Sequence, residues 1–74
     1  MEILDLRNLH CPMPILKTKQ ALQKMNEGEE ITVVTTDPHS EIDFKAFLGK
    51  TSNQLMKFWV KDGEYFFIIK KING

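Results

Sequence analysis

The amino-acid sequence predicts an α/β protein, a two-layer sandwich in which two helices cover one face of a mixed four-stranded sheet. Three observations predict it. The chain has only 74 residues, of which 42% are hydrophobic; two helix-like segments alternate with strand-like segments; and a hairpin signal lies near the end. A chain of this length forms one domain, here residues 1–74, and two layers are the economical solution for the order βαβαββ.

The first half of the chain predicts a β–α–β unit. Residues 2–7 alternate as in a short strand. A helix over 14–26 follows, with Pro14 at its first position, where the missing N–H is harmless, and Gly28 beyond its end. β-Branched residues closed by Asp-Pro predict a strand over 30–36. The apolar stripe of the first helix consists of Ile15, Thr18, Ala21, Leu22 and Met25.

The second half predicts a helix over 40–52 and then a hairpin around Asp62 and Gly63. The apolar stripe of this helix consists of Phe44, Phe47, Leu48 and Thr51. Counting outward from the turn places Met56 opposite Ile69. The predicted core face of the hairpin consists of Met56, Phe58, Val60, Tyr65, Phe67 and Ile69. The predicted outer face, partly exposed or covered by a dimer or partner, consists of Lys57, Trp59, Lys61, Glu64, Phe66 and Ile68.

Composition restricts the classes of function. Ten basic and ten acidic residues give a net charge of zero, which argues against a protein that binds nucleic acid directly through charge. A single cysteine excludes an internal disulfide and fits a reducing compartment. The N-terminus has no signal-peptide pattern, and no apolar run approaches the roughly 20 residues of a membrane span. We therefore expect a cytoplasmic protein without membrane insertion.

The stretch NLHCPMPILK, residues 8–17, places the only cysteine between a strand and a helix. Pro12 and Pro14 make this turn rigid and restrict the backbone of Cys11. A helix N-terminus carries partial positive charge, which favours the nucleophilic thiolate. Free cysteines are also among the most buried residues. Cys11 is therefore either an aimed, reactive thiol or an inert packing residue.

The chemistry open to a lone reactive thiol is limited. Disulfide oxidoreduction normally uses a second cysteine, and papain-like hydrolysis needs a histidine base. His10 is poorly placed because neighbours in extended chain point to opposite faces, and His39 lies in a predicted loop. The spacing of Cys11, His10 and His39 matches no zinc pattern, and no cofactor motif appears, so we expect neither metal nor cofactor. A thiol that accepts a group and passes it on, as in a persulfide, fits best.

Two segments resemble the TusA/SirA-like family of sulfur carriers, whose signature is Cys-Pro-x-Pro. In LDLRNLHCPMPILKTKQAL, the matching residues are Asp5, Arg7, Leu9, Cys11, Pro12 and Pro14. In TTDPHSEID, they are Asp37, Pro38 and Asp43. Asn8 stands where the family usually has glycine. The resemblance extends over essentially the whole chain, and the family fold is similar to the βαβαββ order predicted above.

The resemblance implies a sulfurtransferase-type relay that needs partner proteins. Cys11 would receive a persulfide sulfur from a cysteine desulfurase or rhodanese-like donor and hand it to a downstream acceptor protein. Pro12 and Pro14 would shape the turn, and Arg7 and Asp43 would be supporting groups, either near the thiol or in partner contact. The pathway stays open among tRNA thiolation, molybdenum cofactor sulfuration, sulfur oxidation or import, and selenium metabolism.

Three residues beside the thiol, Met13, Leu16 and Lys17, are candidates for partner contact, although an exposed edge residue or a solvated lysine needs no partner. Two other functions stay open. A regulatory interaction module would use the same surface without needing the thiol. RNA binding would depend only on fold similarity among small domains, and the neutral charge argues against it.

Overall fold

The computed structural model describes residues 2–72, which form two helices and a four-stranded mixed sheet. The elements are β1 (Glu2–Leu6), α1 (Met13–Gln23), β2 (Glu30–Thr35), α2 (Ser40–Gly49), β3 (Gln54–Lys61) and β4 (Glu64–Lys70). The strand order is β1-β2-β4-β3; β1 and β2 are parallel, and the other two pairs are antiparallel. The predicted element order and fold class are confirmed.

The core lies between the sheet and both helices. Phe44 of α2 stacks on Phe67 of β4 with ring centroids 4.4 Å apart, and Leu22 of α1 joins the same cluster. The cluster is completed by Leu6, Ile31, Val33, Leu48 and Ile69. Because both helices contribute to one cluster, they cover the same face of the sheet. Since β1 and β2 are parallel, the N-terminal ends of α1 and α2 lie at the same edge of that sheet.

Both helices end earlier than predicted. In α1 the amides of Lys24 and Met25 bond to carbonyls three residues back, so the last turn tightens and the helix ends at Gln23. Gly28, with φ of +91°, instead turns the chain into β2. In α2 the same tightening ends the helix at Gly49. Thr51 is therefore exposed and off the apolar stripe, and its hydroxyl donates to the carbonyl of Leu48.

The hairpin turn forms as predicted, but the strand pairing at the opposite end of the hairpin differs from the prediction. Asp62 and Gly63 both have positive φ, +53° and +76°, which a tight two-residue hairpin turn requires. The predicted pairing of Met56 with Ile69 is wrong, because Leu55 takes that place and the register shifts between Leu55 and Lys57. This β-bulge leaves Met56 49% exposed.

Val60 was also assigned wrongly to the core. It pairs with Tyr65 as predicted, but it lies near the end of edge strand β3 and is 50% exposed. On the outer face of the sheet, Trp59 and Phe66 stack with centroids 4.9 Å apart and are half-buried, as expected. Neither helix within residues 2–72 has the length and hydropathy needed to cross a membrane.

Candidate functional site around Cys11

Cys11 is exposed in the turn that joins β1 to α1. The turn begins at Asn8, which adopts a left-handed φ of +67° and donates its backbone N–H to Thr36 Oγ1 at 2.9 Å. The Met13 N–H then donates to the His10 carbonyl at 2.8 Å, and the Cys11–Pro12 peptide bond is cis. The hydrogen bonds donated by the Asn8 and Met13 amides hold the chain on both sides of the thiol. Of the two alternatives for Cys11, a reactive thiol or an inert packing residue, the exposure of the side chain is against burial in the core.

The two prolines lie where the chain enters α1. Pro12 occupies the N-cap position, and its carbonyl accepts from the N–H of Leu16. The helix begins at Met13, one residue before the predicted start, so Pro14 is the second helical residue rather than the first. Its lack of an N–H is still harmless there, since the first four helical N–H groups have no intrahelical acceptor.

Asp37 connects the cysteine turn to the start of α2. Its Oδ2 accepts the backbone N–H of Cys11 at 3.0 Å, and its Oδ1 accepts the backbone N–H of His39 at 3.0 Å. The side chain is buried. These bonds to N–H groups lower the pKa of Asp37, with the His39 amide as the largest cause, so the carboxylate is ionised at neutral pH.

Asp43, in the first turn of α2, is near enough to Cys11 to affect the ionisation of the thiol. A hydrogen bond to the Asp43 carboxylate is the largest of the effects that raise the pKa of Cys11 above its ordinary value. Partial removal from water and the negative charges of Asp43 and Asp37 act in the same direction. Asp43 and Asp37, both near the start of α2, therefore lie beside Cys11.

The charges near Cys11 act against the field of the helix. The N-terminus of α1 favours the thiolate, but the carboxylates of Asp43 and Asp37 raise the pKa of Cys11 and favour the protonated thiol. Within residues 2–72, no lysine or arginine lies within ion-pair distance of Asp37 or Asp43; the only ion-pair partner of either is His39, 3.4 Å from Asp37. The surroundings of the thiol are therefore acidic although the chain is neutral overall.

Exposed apolar side chains accompany this acidic site. Met13 and Leu16, in the first turn of α1, are 39% and 44% exposed, and Ile42, beside Asp43 in the first turn of α2, is 72% exposed. Both first turns lie at the sheet edge that carries Cys11. Large exposed apolar residues grouped at one edge are typical of a surface that meets another protein.

Arg7 does not join the thiol. Its guanidinium forms two hydrogen bonds to the Asp5 carboxylate, at 2.8 and 2.9 Å, and lies 3.5 Å from Glu64. The guanidinium lowers the pKa of Asp5 to about 2 through these hydrogen bonds. Two supporting roles were expected for Arg7, near the thiol or in partner contact. The observed contacts to Asp5 and Glu64 do not provide the first of them.

Lys17 belongs to a surface groove that is separate from the cysteine turn. It lines an open groove of about 750 Å³ beside α1, and Leu4, Ala21 and Ile31 line the same groove. Cys11 is not among the residues that line this groove. A contact of Lys17 with a partner would therefore have to extend along α1 from the thiol.

His39 lies beside the Asp37 carboxylate. His39 Nδ1 lies 3.4 Å from Asp37 Oδ1, and the imidazole is 80% exposed, so it faces the carboxylate rather than the sulfur. Residues 2–72 contain no group of three or more His, Cys, Asp or Glu side chains arranged to hold a metal ion.

Comparison with known proteins decides the family. The model of the family described as sulfurtransferase TusA matches residues 2–71. The sulfur carrier protein TusA of Allochromatium vinosum is 44% identical over 68 residues, covering 92% of this chain and 90% of that protein. The chain belongs to the TusA family. A putative sulfur carrier protein of Neisseria meningitidis is a further TusA-like relative, 38% identical over 69 residues and covering 93% of each chain.

A solved structure supports the fold of this TusA-family chain. The SirA-like protein from Desulfitobacterium hafniense superposes with a TM-score of 0.85 over 99% of this chain and 100% of that one, at 24% sequence identity. At this level of identity the likeness supports the fold alone. It agrees with the mixed sheet and paired helices described above.

Sequence reasoning did not select Asp37 or Ile42 as site residues. Asp37 was recognised only as part of the Thr-Asp-Pro run that resembles other TusA-family chains. Its signal was an aspartate directly before a proline, where such side chains bond to the backbone two residues on, as Asp37 does with His39. Ile42 gave a weaker signal, an apolar residue off the stripe of α2.

Proposed function

We propose that this TusA-family protein carries sulfur as a persulfide on Cys11. The observation that supports the proposal most directly is the exposed single thiol, fixed in a Cys-Pro-x-Pro turn and hydrogen-bonded at its backbone to Asp37. Family membership supports the sulfur carrier function, and no second cysteine is present to divert the chemistry into an internal disulfide.

The transfer step needs no oxidant. Cys11 gives up its proton, and its thiolate attacks the terminal sulfur of the donor persulfide. A bond forms between Cys11 Sγ and that sulfur while the sulfur–sulfur bond of the donor breaks. The donor leaves as a thiolate and takes up a proton. One thiol and one persulfide are consumed, and one of each is produced. Delivery is the same reaction with the Cys11 persulfide as the donor and the thiolate of the acceptor protein as the nucleophile.

The partners follow from this step. The donor must present a persulfide on a surface complementary to the exposed Met13, Leu16 and Ile42. A cysteine desulfurase or a rhodanese-like protein meets the chemical requirement, and an acceptor thiol protein, for example in tRNA thiolation, receives the sulfur. The reducing cytoplasm suits an exposed free thiol.

The test is an intact-mass measurement after incubation with a cysteine desulfurase and cysteine, or with a rhodanese and thiosulfate. We expect the mass to rise by one sulfur atom, to return on reduction, and to stay constant in the matched Cys11→Ser variant. If the wild-type protein takes up no sulfur from either donor although Cys11 reacts with an alkylating reagent, the persulfide proposal is wrong and a thiol-independent regulatory role gains support.

A further inference from the structure

The Asp37 carboxylate is built into the fold as an acceptor of backbone N–H groups. Its two oxygens accept from Cys11 and His39, each at 3.0 Å, and the residue is only 8% exposed. Hydrogen bonds to an ionised acceptor are about twice as strong as neutral ones. A buried carboxylate with both oxygens occupied in this way fixes two chain segments relative to each other.

The neighbours of Asp37 fix its own position in turn. Its backbone N–H donates to Thr35 Oγ1 at 3.0 Å, and Thr35 Oγ1 lies 2.7 Å from Ser40 Oγ. Thr35 and Ser40 are both buried. The end of β2, the loop and the start of α2 thus form one hydrogen-bonded unit. A functional side chain is placed accurately only when its supporting groups are held in this way.

We propose that Asp37 is the positioning residue for sulfur transfer, holding the backbone of Cys11 so that Sγ stands beside Asp43 and faces a docked partner. This inference rests on the proposed function. Asp37 accepts from the Cys11 amide and not from the sulfur, so it acts through Cys11. The effect is one of orientation: a misplacement of about 1 Å in a reacting group can cost on the order of 100-fold in rate.

The proposal predicts opposite changes in two rates for Asp37→Ala. Removal of a negative charge near the sulfur lowers the pKa of Cys11, so alkylation by iodoacetamide at pH 7 becomes faster. Sulfur uptake from the donor becomes slower, by roughly 10- to 100-fold in kcat, while the KM for the donor changes little. A residue that only stabilised the fold would not separate the two rates in this way.

The matched control is Glu41→Gln. Glu41 lies in the same first turn as Asp43 and pairs with Lys45 at 2.7 Å, so this change removes one negative charge without touching Cys11. We expect neither rate to change by more than about twofold, since screened surface charges contribute little. Asp37→Asn, which keeps one carbonyl oxygen, should give an intermediate loss and replaces Asp37→Ala if that variant does not fold.

The NMR signal of the Cys11 amide is a second readout, and it distinguishes a failure of the positioning role from a failure of the proposed function. The Cys11 amide should exchange slowly and resonate downfield in wild-type protein, and both signatures should weaken in Asp37→Asn. Uptake by the Asp37 variants at the wild-type kcat, or an unchanged Cys11 amide, would overturn the positioning role. If wild-type protein accepts no sulfur at all, the proposed function fails, and the amide alone decides whether Asp37 positions Cys11.

Discussion

The left-handed conformation of Asn8 leads to a prediction about the turn that carries the thiol. Its φ is +67°, and its backbone N–H bond to Thr36 is available to any residue except proline. Left-handed backbone costs most L-residues roughly 1–2 kcal/mol, and asparagine less. We expect Asn8→Ala to lower the free energy of unfolding by about 1 kcal/mol. In Asn8→Gly, glycine relieves the backbone strain of the folded state but also gives the unfolded chain more conformational freedom. These effects oppose each other, so we expect the free energy of unfolding to change by no more than about 0.5 kcal/mol.

The assay is urea unfolding followed by circular dichroism with the thiol kept reduced. A loss of about 1 kcal/mol corresponds to a fall in Tm of roughly 4–8 °C for a domain of this size. The matched control is Asn26→Ala, because Asn26 is also exposed but is not among the described residues with positive φ. The reasoning is refuted if Asn8→Ala is as stable as the control, or if Asn8→Gly loses as much stability as Asn8→Ala.

Three further changes have defined outcomes. Asp43→Asn removes the hydrogen bond that contributes most to the raised pKa of Cys11, so the rate of alkylation at pH 7 should rise; an unchanged pH–rate profile would contradict the contact. Arg7→Gln should return the pKa of Asp5 from about 2 toward 3.8, as followed by NMR titration. In the wild type the Asp5–Arg7 pair favours folding above pH 3.8, and that effect fades as the pH falls toward 2, so an unshifted Asp5 titration in the variant would count against the pair. Phe67→Ala, at a side chain with 0% exposure, should lower the free energy of unfolding by about 3–5 kcal/mol, and a loss below 1 kcal/mol in urea unfolding would place the core elsewhere.

Local sequence signals were sufficient for the order of the elements and for the hairpin turn. Asp62 and Gly63 tolerate positive φ, so the two-residue turn and the pairing next to it follow from residue type alone. The parallel pairing of β1 and β2 follows from the helix between them, since parallel strands require a crossover of about this length. The apolar stripe of α1 was predicted for the same reason, because it is a local periodicity.

Features that depend on a distant partner could not be predicted. The alternation of residues through β3 is regular, so nothing in it indicates that Met56 is the extra residue of a bulge; that depends on how β3 pairs with β4. The bond from the Cys11 amide to Asp37 joins residues 26 positions apart and exists only because β1 and β2 end side by side. The helix ends were missed by a few residues because tightened last turns have no clear sequence signal.

The charges around Cys11 determine how much of the chemistry a partner must supply. A surface helix N-terminus stabilises a nearby negative charge only modestly, whereas a hydrogen bond from the thiol to a carboxylate and the negative charge of that carboxylate both disfavour the thiolate. The Asp43 carboxylate therefore outweighs the field of α1, and the pKa of Cys11 is raised. Since the thiolate is the nucleophile, the free protein is less reactive than the helix position alone suggests. In the proposed transfer, a donor working near neutral pH must then accept the thiol proton or bring positive charge to Asp43, so the proposal assigns part of the active site to the partner.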